Sequence, residues 1–89
     1  MMYFVALVKF RKKVTRESVV ESLRKQAMEA KEGIRYRGIY WTLGRYDVVA
    51  VFEAENETAA LNMSLRRGDD FDMETLVALP AEEARKLVG

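Results

Sequence analysis

Hydrophobic and polar positions along the chain resolve into four short apolar runs and three helical segments. Tyr3 to Phe10 is apolar at nearly every position, rich in aromatic and β-branched residues, and ends in Arg11-Lys12-Lys13. Such a run predicts a strand covered on both faces. Thr15 is placed to cap a helix from about Arg16 to Glu32, its hydroxyl accepting from a free first-turn amide, with Glu17 near the positive end of the helix dipole. Val20, Leu23, Ala27 and Ala30 recur at helical spacing and define its expected buried face, with Arg24, Lys25 and Glu29 off that face. Gly33 suits the left-handed position that ends such a helix.

Ile34 to Thr42 predicts a second strand, with Tyr36 and Tyr40 on one face and Arg35, Arg37, Ile39 and Trp41 on the other. Gly38 in its middle marks a bulge or a close backbone approach. Leu43 to Asp47 reads as a hairpin turn, and Val48 to Glu53 as a third strand, apolar on both faces. Asn56 caps a second helix to about Arg67, expected to be buried through Leu61 and Leu65 and closed by Gly68. Phe71 to Leu79 is the fourth strand. Pro80 opens a short last helix, with Glu82 and Glu83 early and Arg85 and Lys86 late, as the dipole prefers.

The order β-α-β-β-α-β plus a short C-terminal helix is the split βαβ, or ferredoxin-like, arrangement, an α+β fold in one domain over residues 1–89. It implies a four-stranded antiparallel sheet in the order 4-1-3-2, with both main helices on one face. The other face is apolar whichever side it is: strand one offers Tyr3, Val5 and Leu7 on one side and Phe4, Ala6, Val8 and Phe10 on the other, and strand three Val48, Ala50 and Phe52 against Val49 and Val51. Four strands of about five residues make a face of roughly 300 Å² in plan, an exposed apolar patch of the kind that meets a partner. A second copy meeting it face to face would bury about 1,200–2,000 Å² in total, so a two-fold homodimer is expected.

Composition narrows the chemistry. The 89 residues include no cysteine and no histidine. That excludes disulfides, thiol nucleophiles, Cys/His zinc sites, iron–sulfur clusters, histidine-bound haem and every imidazole acid–base mechanism. The net charge of +1 offers no global excess to attract nucleic acid or an anionic membrane. It conceals an asymmetry, however. Residues 1–45 hold eleven Lys/Arg and four Asp/Glu (+7), and residues 46–89 hold four and ten (−6). The apolar start is far shorter than the ~18 residues of a membrane span and resembles no signal peptide, so a cytoplasmic protein is expected.

Tyr40-Trp41-Thr42-Leu43-Gly44-Arg45-Tyr46-Asp47, followed by Glu74-Thr75-Leu76-Val77-Ala78, resembles the signature and fourth strand of the GYD-domain family. Length and element order match as well. The resemblance implies a ferredoxin-like subunit of the dimeric α/β barrel group and no particular chemistry. The exit of the first strand is unusually basic for it, at Arg11 to Lys13.

The topology gathers Arg11–Val14, Leu43–Asp47 and Gly68–Asp70 at one end of the sheet, where the basic and acidic halves meet. One reading of this rim is charge pairing and turn chemistry, with Gly44 at positive φ and Asp47 accepting backbone hydrogen bonds. The other makes it the mouth of a pocket between sheet and helices. Tyr40, Trp41, Arg45, Tyr46, Asp47 and Glu74 then supply the polar and aromatic groups of a ligand site. The first expectation is a non-catalytic small-ligand-binding or assembly module without cofactor. The alternative is a cofactor-free enzyme, monooxygenase- or isomerase-like, using Tyr40, Tyr46 and Asp47. Lacking histidine, it would need a carboxylate of raised pKa, or a tyrosine or lysine of lowered pKa. Asp69, Asp70, Asp72 and Glu74 lack EF-hand spacing, so no metal site is expected. Tyr46 stands where an RNA-recognition strand wants glycine, so nucleic-acid binding is not expected either.

Overall fold

The computed structural model describes residues 1–88. Its elements are β1 (Met2–Phe10), α1 (Arg16–Lys31), β2 (Arg35–Trp41), β3 (Val48–Ala54), α2 (Glu57–Arg66), β4 (Phe71–Ala78) and α3 (Ala81–Val88). One antiparallel sheet runs β2-β3-β1-β4, the expected order read from the opposite edge. The two longer helices begin where their caps dictate. The Ser18 amide donates to Thr15 Oγ1 at 3.1 Å, and the Thr15 amide donates to Ser18 Oγ at 2.8 Å, a reciprocal capping box. Asn56 accepts from the Ala59 amide at 2.9 Å. Gly33 ends α1 at φ +91°, which a β-carbon would oppose.

Register assigns the faces. Phe4 lies opposite Phe52, Ala6 opposite Ala50 and Val8 opposite Val48, and these even positions form the helix-side core. Phe4 and Phe52 stack with ring centroids 5.3 Å apart. Tyr3, Val5, Leu7, Val49 and Val51 form the other face, joined there by Leu76.

Three expectations about side-chain facing fail, each for a physical reason. In β2 the register steps from Tyr36↔Phe52 to Gly38↔Val51, so Arg37 is an extra residue. An odd insertion reverses parity beyond it. Tyr36, Ile39 and Trp41 therefore share the helix side, and Tyr40 falls on the open side. Gly38 carries the bulge, with the Tyr40 ring so close that a β-carbon there would sit 2.7 Å from Tyr40 Cε2.

In α2 the buried residues are Ala60 and Met63, whereas Leu61 and Leu65 are exposed. Small Ala60 lets the helix approach β3 and β4 closely. In α1 the expected face is not buried: Val20 is 60% exposed, Ala27 and Ala30 are exposed too, and Leu23, 61% exposed, lines the open gap beneath the helix. The residues turned inward are polar, and Glu29 is buried. Two stripes at helical spacing compete on this helix, and the polar one faces the protein.

The subunit measures 48 × 31 × 17 Å. Its radius of gyration, 13.8 Å, exceeds the roughly 12 Å of a compact chain this long. Two features account for the excess. Every residue of α3 is exposed, and α1 stands off the sheet. No helix among the described residues is long and apolar enough to cross a membrane.

Candidate functional site

The gap beneath α1 is a cleft open to solvent at its mouth. Its floor is the helix side of the sheet, chiefly Ala6, Val8, Val48, Ala50 and Met73. Its roof is α1, where Ser18, Ser22, Lys25 and Gln26 are joined by Glu21, Val19 and Leu23. Aromatic rings span one end of the floor. Phe10 lies 5.3 Å from Trp41 and 5.7 Å from Phe71, centroid to centroid, both pairs tilted. The lining thus combines apolar and aromatic surface with a few polar groups, as small-molecule sites do.

What holds the roof up is a buried polar tether. Arg67, the residue capping the C-terminus of α2, is 7% exposed, and Glu29 of α1 is 4% exposed. Arg67 Nε donates to Glu29 Oε2 at 2.9 Å and Nη2 to Glu29 Oε1 at 2.7 Å, a bidentate fork. Its Nη1 donates to Ser22 Oγ at 2.7 Å, and the Tyr36 hydroxyl donates to Glu29 Oε1 at 2.8 Å. The guanidinium also lies over the Phe71 ring, 5.8 Å from its centroid. Among the described residues, no buried side-chain nitrogen or oxygen lacks a partner. Burial opposes the charge on Arg67, but the Glu29 carboxylate outweighs it and holds the guanidinium above its ordinary pKa. Burial first, and then Glu29, push the Tyr36 phenol well above its usual range.

The glycine-tyrosine-aspartate hairpin divides between the two faces. Trp41 lines the cleft. Tyr40 and Glu74 lie on the open face, in one row through Val49 and Leu7. The Tyr46 hydroxyl crosses to Glu74 Oε2 at 2.9 Å, and the Arg45 guanidinium sits 5.7 Å from the centre of the Tyr46 ring. Gly44 has φ +121°, as the turn reading requires.

Asp47 is built into the backbone. Its Oδ2 accepts from the Phe10 amide at 2.8 Å, its amide donates to the Val8 carbonyl at 2.8 Å, and its carbonyl accepts from the Thr42 amide at 2.9 Å. The Glu74 hydrogen bond pushes Tyr46 upward, so Tyr36 and Tyr46 both shift away from the lowered pKa that acid–base work at neutral pH needs.

Basic and acidic halves do meet at this end of the sheet: Asp70 lies 3.6 Å from both Lys12 and Lys25, and Asp72 lies 3.4 Å from Arg11. Asp69 and Asp70 are in a turn, and among the described residues no three acidic side chains cluster as a cation site would require.

The tether was not legible in the sequence. Its one signal is the line Ser18, Ser22, Gln26 and Glu29 at helical spacing, and nothing distinguishes Arg67 from its exposed neighbour Arg66.

A four-stranded antiparallel sheet in the order β2-β3-β1-β4, with the element order β-α-β-β-α-β, defines a ferredoxin-like α+β domain. The chain belongs to the GYD domain family, whose profile matches residues 4–88. This bears out the family expected from the hairpin and from β4. No curated protein and no solved structure gives a significant match.

Two predictions follow from the tether. Glu29→Ala and Arg67→Ala each strand a buried charge and are expected to lower unfolding free energy by about 3–5 kcal/mol. In denaturant titrations the double variant should lose less than the sum of the singles, by about 1–3 kcal/mol. Tyr36 supplies a pH signature. Its folded pKa lies above the unfolded value of 10.0, so its contribution is complete below pH 10 and is lost as pH rises further. Between pH 9 and 10.5 the wild type should lose about 0.8 kcal/mol relative to Tyr36→Phe.

Proposed function

We propose that the protein is a non-catalytic small-ligand-binding module of the cytoplasm that works as a homodimer. The cleft under α1 carries this reading: an apolar, aromatic-floored space whose polar roof is held open by a fully satisfied network. Water in such a space contacts mostly carbon, so an apolar ligand that displaces it gains free energy. The homodimer accounts for the other side of the sheet. Val5, Leu7, Val49, Val51 and Leu76 form a contiguous apolar row there. A second copy covers it economically, and ligand sites on the outer helix sides then remain accessible.

The enzymatic alternative draws less support. Asp47 is engaged by backbone, Tyr46 by Glu74, and Tyr40 lies across the sheet from the cleft. Only Trp41 of the hairpin reaches it.

Trp41 is the chain's single tryptophan and gives a direct readout. Titration with 2-naphthol should shift its indole N–H resonance saturably, and Gln26→Phe, which fills the cleft, should abolish the shift. Light scattering at micromolar concentration should give twice the chain mass, falling to one chain mass for Val51→Lys. A wild-type monomer contradicts the dimer, and an unperturbed Trp41 contradicts the ligand site.

A further inference from the structure

We infer that α3 is a dimer arm: its apolar side packs on the second copy of the chain, beside the open face of the sheet. This rests on the open-face homodimer proposed above and adds a segment to its interface.

The helix has a side made for burial. Ala81, Ala84, Leu87 and Val88 recur at helical spacing along it, and Glu82, Glu83, Arg85 and Lys86 fill the opposite side. Yet the subunit leaves every residue of α3 exposed. With only eight residues α3 needs a neighbour, because isolated helices shorter than about 12–15 residues are marginal in water. The Pro80 carbonyl accepts from the Glu83 amide at 2.9 Å and from the Ala84 amide at 3.1 Å, which anchors the first turn on Pro80. Leu79 and Pro80 alone separate α3 from β4, and the fixed φ of proline stiffens that link. A link this short holds α3 at the end of β4.

That position makes α3 a continuation of the open face. β4 is an edge strand, and its residues Leu76 and Ala78 lie opposite Val5 and Tyr3, so the open row runs out to the point where the arm leaves the sheet. The row itself is flat and partly self-covered: of Val5, Leu7, Val49, Val51 and Leu76, only Leu76 is exposed, at 43%. Alone it offers far less apolar area than the roughly 800 Å² that each partner gives to a standard interface. Leu79, Leu87 and Val88 are 60%, 75% and 89% exposed and add about 100 Å² each when covered. In a two-fold dimer both copies contribute an arm, so the added area counts twice. The polar side of α3 argues against a lipid or nucleic-acid partner. Glu82 pairs with Arg85 at 3.1 Å and Glu83 with Lys86 at 3.5 Å, which leaves no cationic excess for phosphate groups.

The test uses the full chain. In a sample mixing carbon-13-labelled and unlabelled chains, filtered nuclear Overhauser spectra should connect the Leu87 and Val88 methyls to protons of the unlabelled copy. Leu87→Glu combined with Val88→Glu should weaken dimerisation about 100-fold, the scale of uncovering one leucine in each copy, read by light scattering over a dilution series. Lys86→Gln, on the polar side, should leave dimerisation unchanged. Methyl contacts confined to the labelled chain, or a double variant that dimerises like the wild type, overturn the arm and leave the open-face dimer standing. Contacts of these methyls that form only with added phosphatidylglycerol vesicles assign α3 to a lipid surface and overturn the arm as well. A wild-type monomer overturns both the arm and the dimer.

Discussion

The buried fork between Glu29 and Arg67 is the constraint on which the arrangement of this subunit depends. A helix laid over a sheet ordinarily closes on it through an apolar stripe. Here α1 presents Ser22, Lys25, Gln26 and Glu29 inward, and the carboxylate of Glu29 finds its counter-charge on the far side of the layer, at the end of α2. Two ions removed from water gain little net stability from one another, yet losing either leaves the other stranded. The fork therefore works chiefly as a positioning device. It sets where α1 sits and in which rotation, and the cleft is the space left between that position and the sheet.

The glycine-tyrosine-aspartate hairpin has a matching role on the sheet. Asp47 links the second hairpin to β1 through the amide of Phe10 and the carbonyl of Val8, and Gly44 supplies the left-handed turn that brings it there. Phe10 is also the ring between Trp41 and Phe71. A motif that looks like catalytic equipment thus fixes the aromatic end of the cleft floor. The same hairpin sends Tyr46 the other way, to Glu74 on the open face, so one turn ties together the rims of both surfaces.

The strands, their order, the caps at Thr15 and Asn56, and the two-sided apolar character of β1 and β3 were legible in the sequence. Local rules govern them: alternation, capping chemistry and turn residues. Facing was less legible, because it depends on what lies across the gap. The bulge at Arg37 was signalled by Gly38, but its consequence, Tyr36 and Tyr40 on opposite faces, requires counting one extra residue in the ladder. On α1 the apolar stripe Val20, Leu23, Ala27 and the polar stripe Ser18, Ser22, Glu29 have equally good periodicity. The choice was made by Arg67, 38 residues from Glu29 in sequence. On α2, close approach favoured small Ala60 over the larger Leu61 and Leu65. The hairpin's residues are contiguous in sequence, but the sheet sends Trp41 to one face and Tyr40 to the other.

That a polar tether holds α1 with its apolar stripe outward can be tested by methyl nuclear Overhauser contacts in the intact protein. The account predicts contacts from the Ala60 and Met63 methyls to the sheet core of Ala6, Val8 and Ala50, and none from the methyls of Val20 and Ala27. Contacts between Val20 or Ala27 and that core would mean that α1 packs through its apolar face, and would contradict both the tether and the cleft.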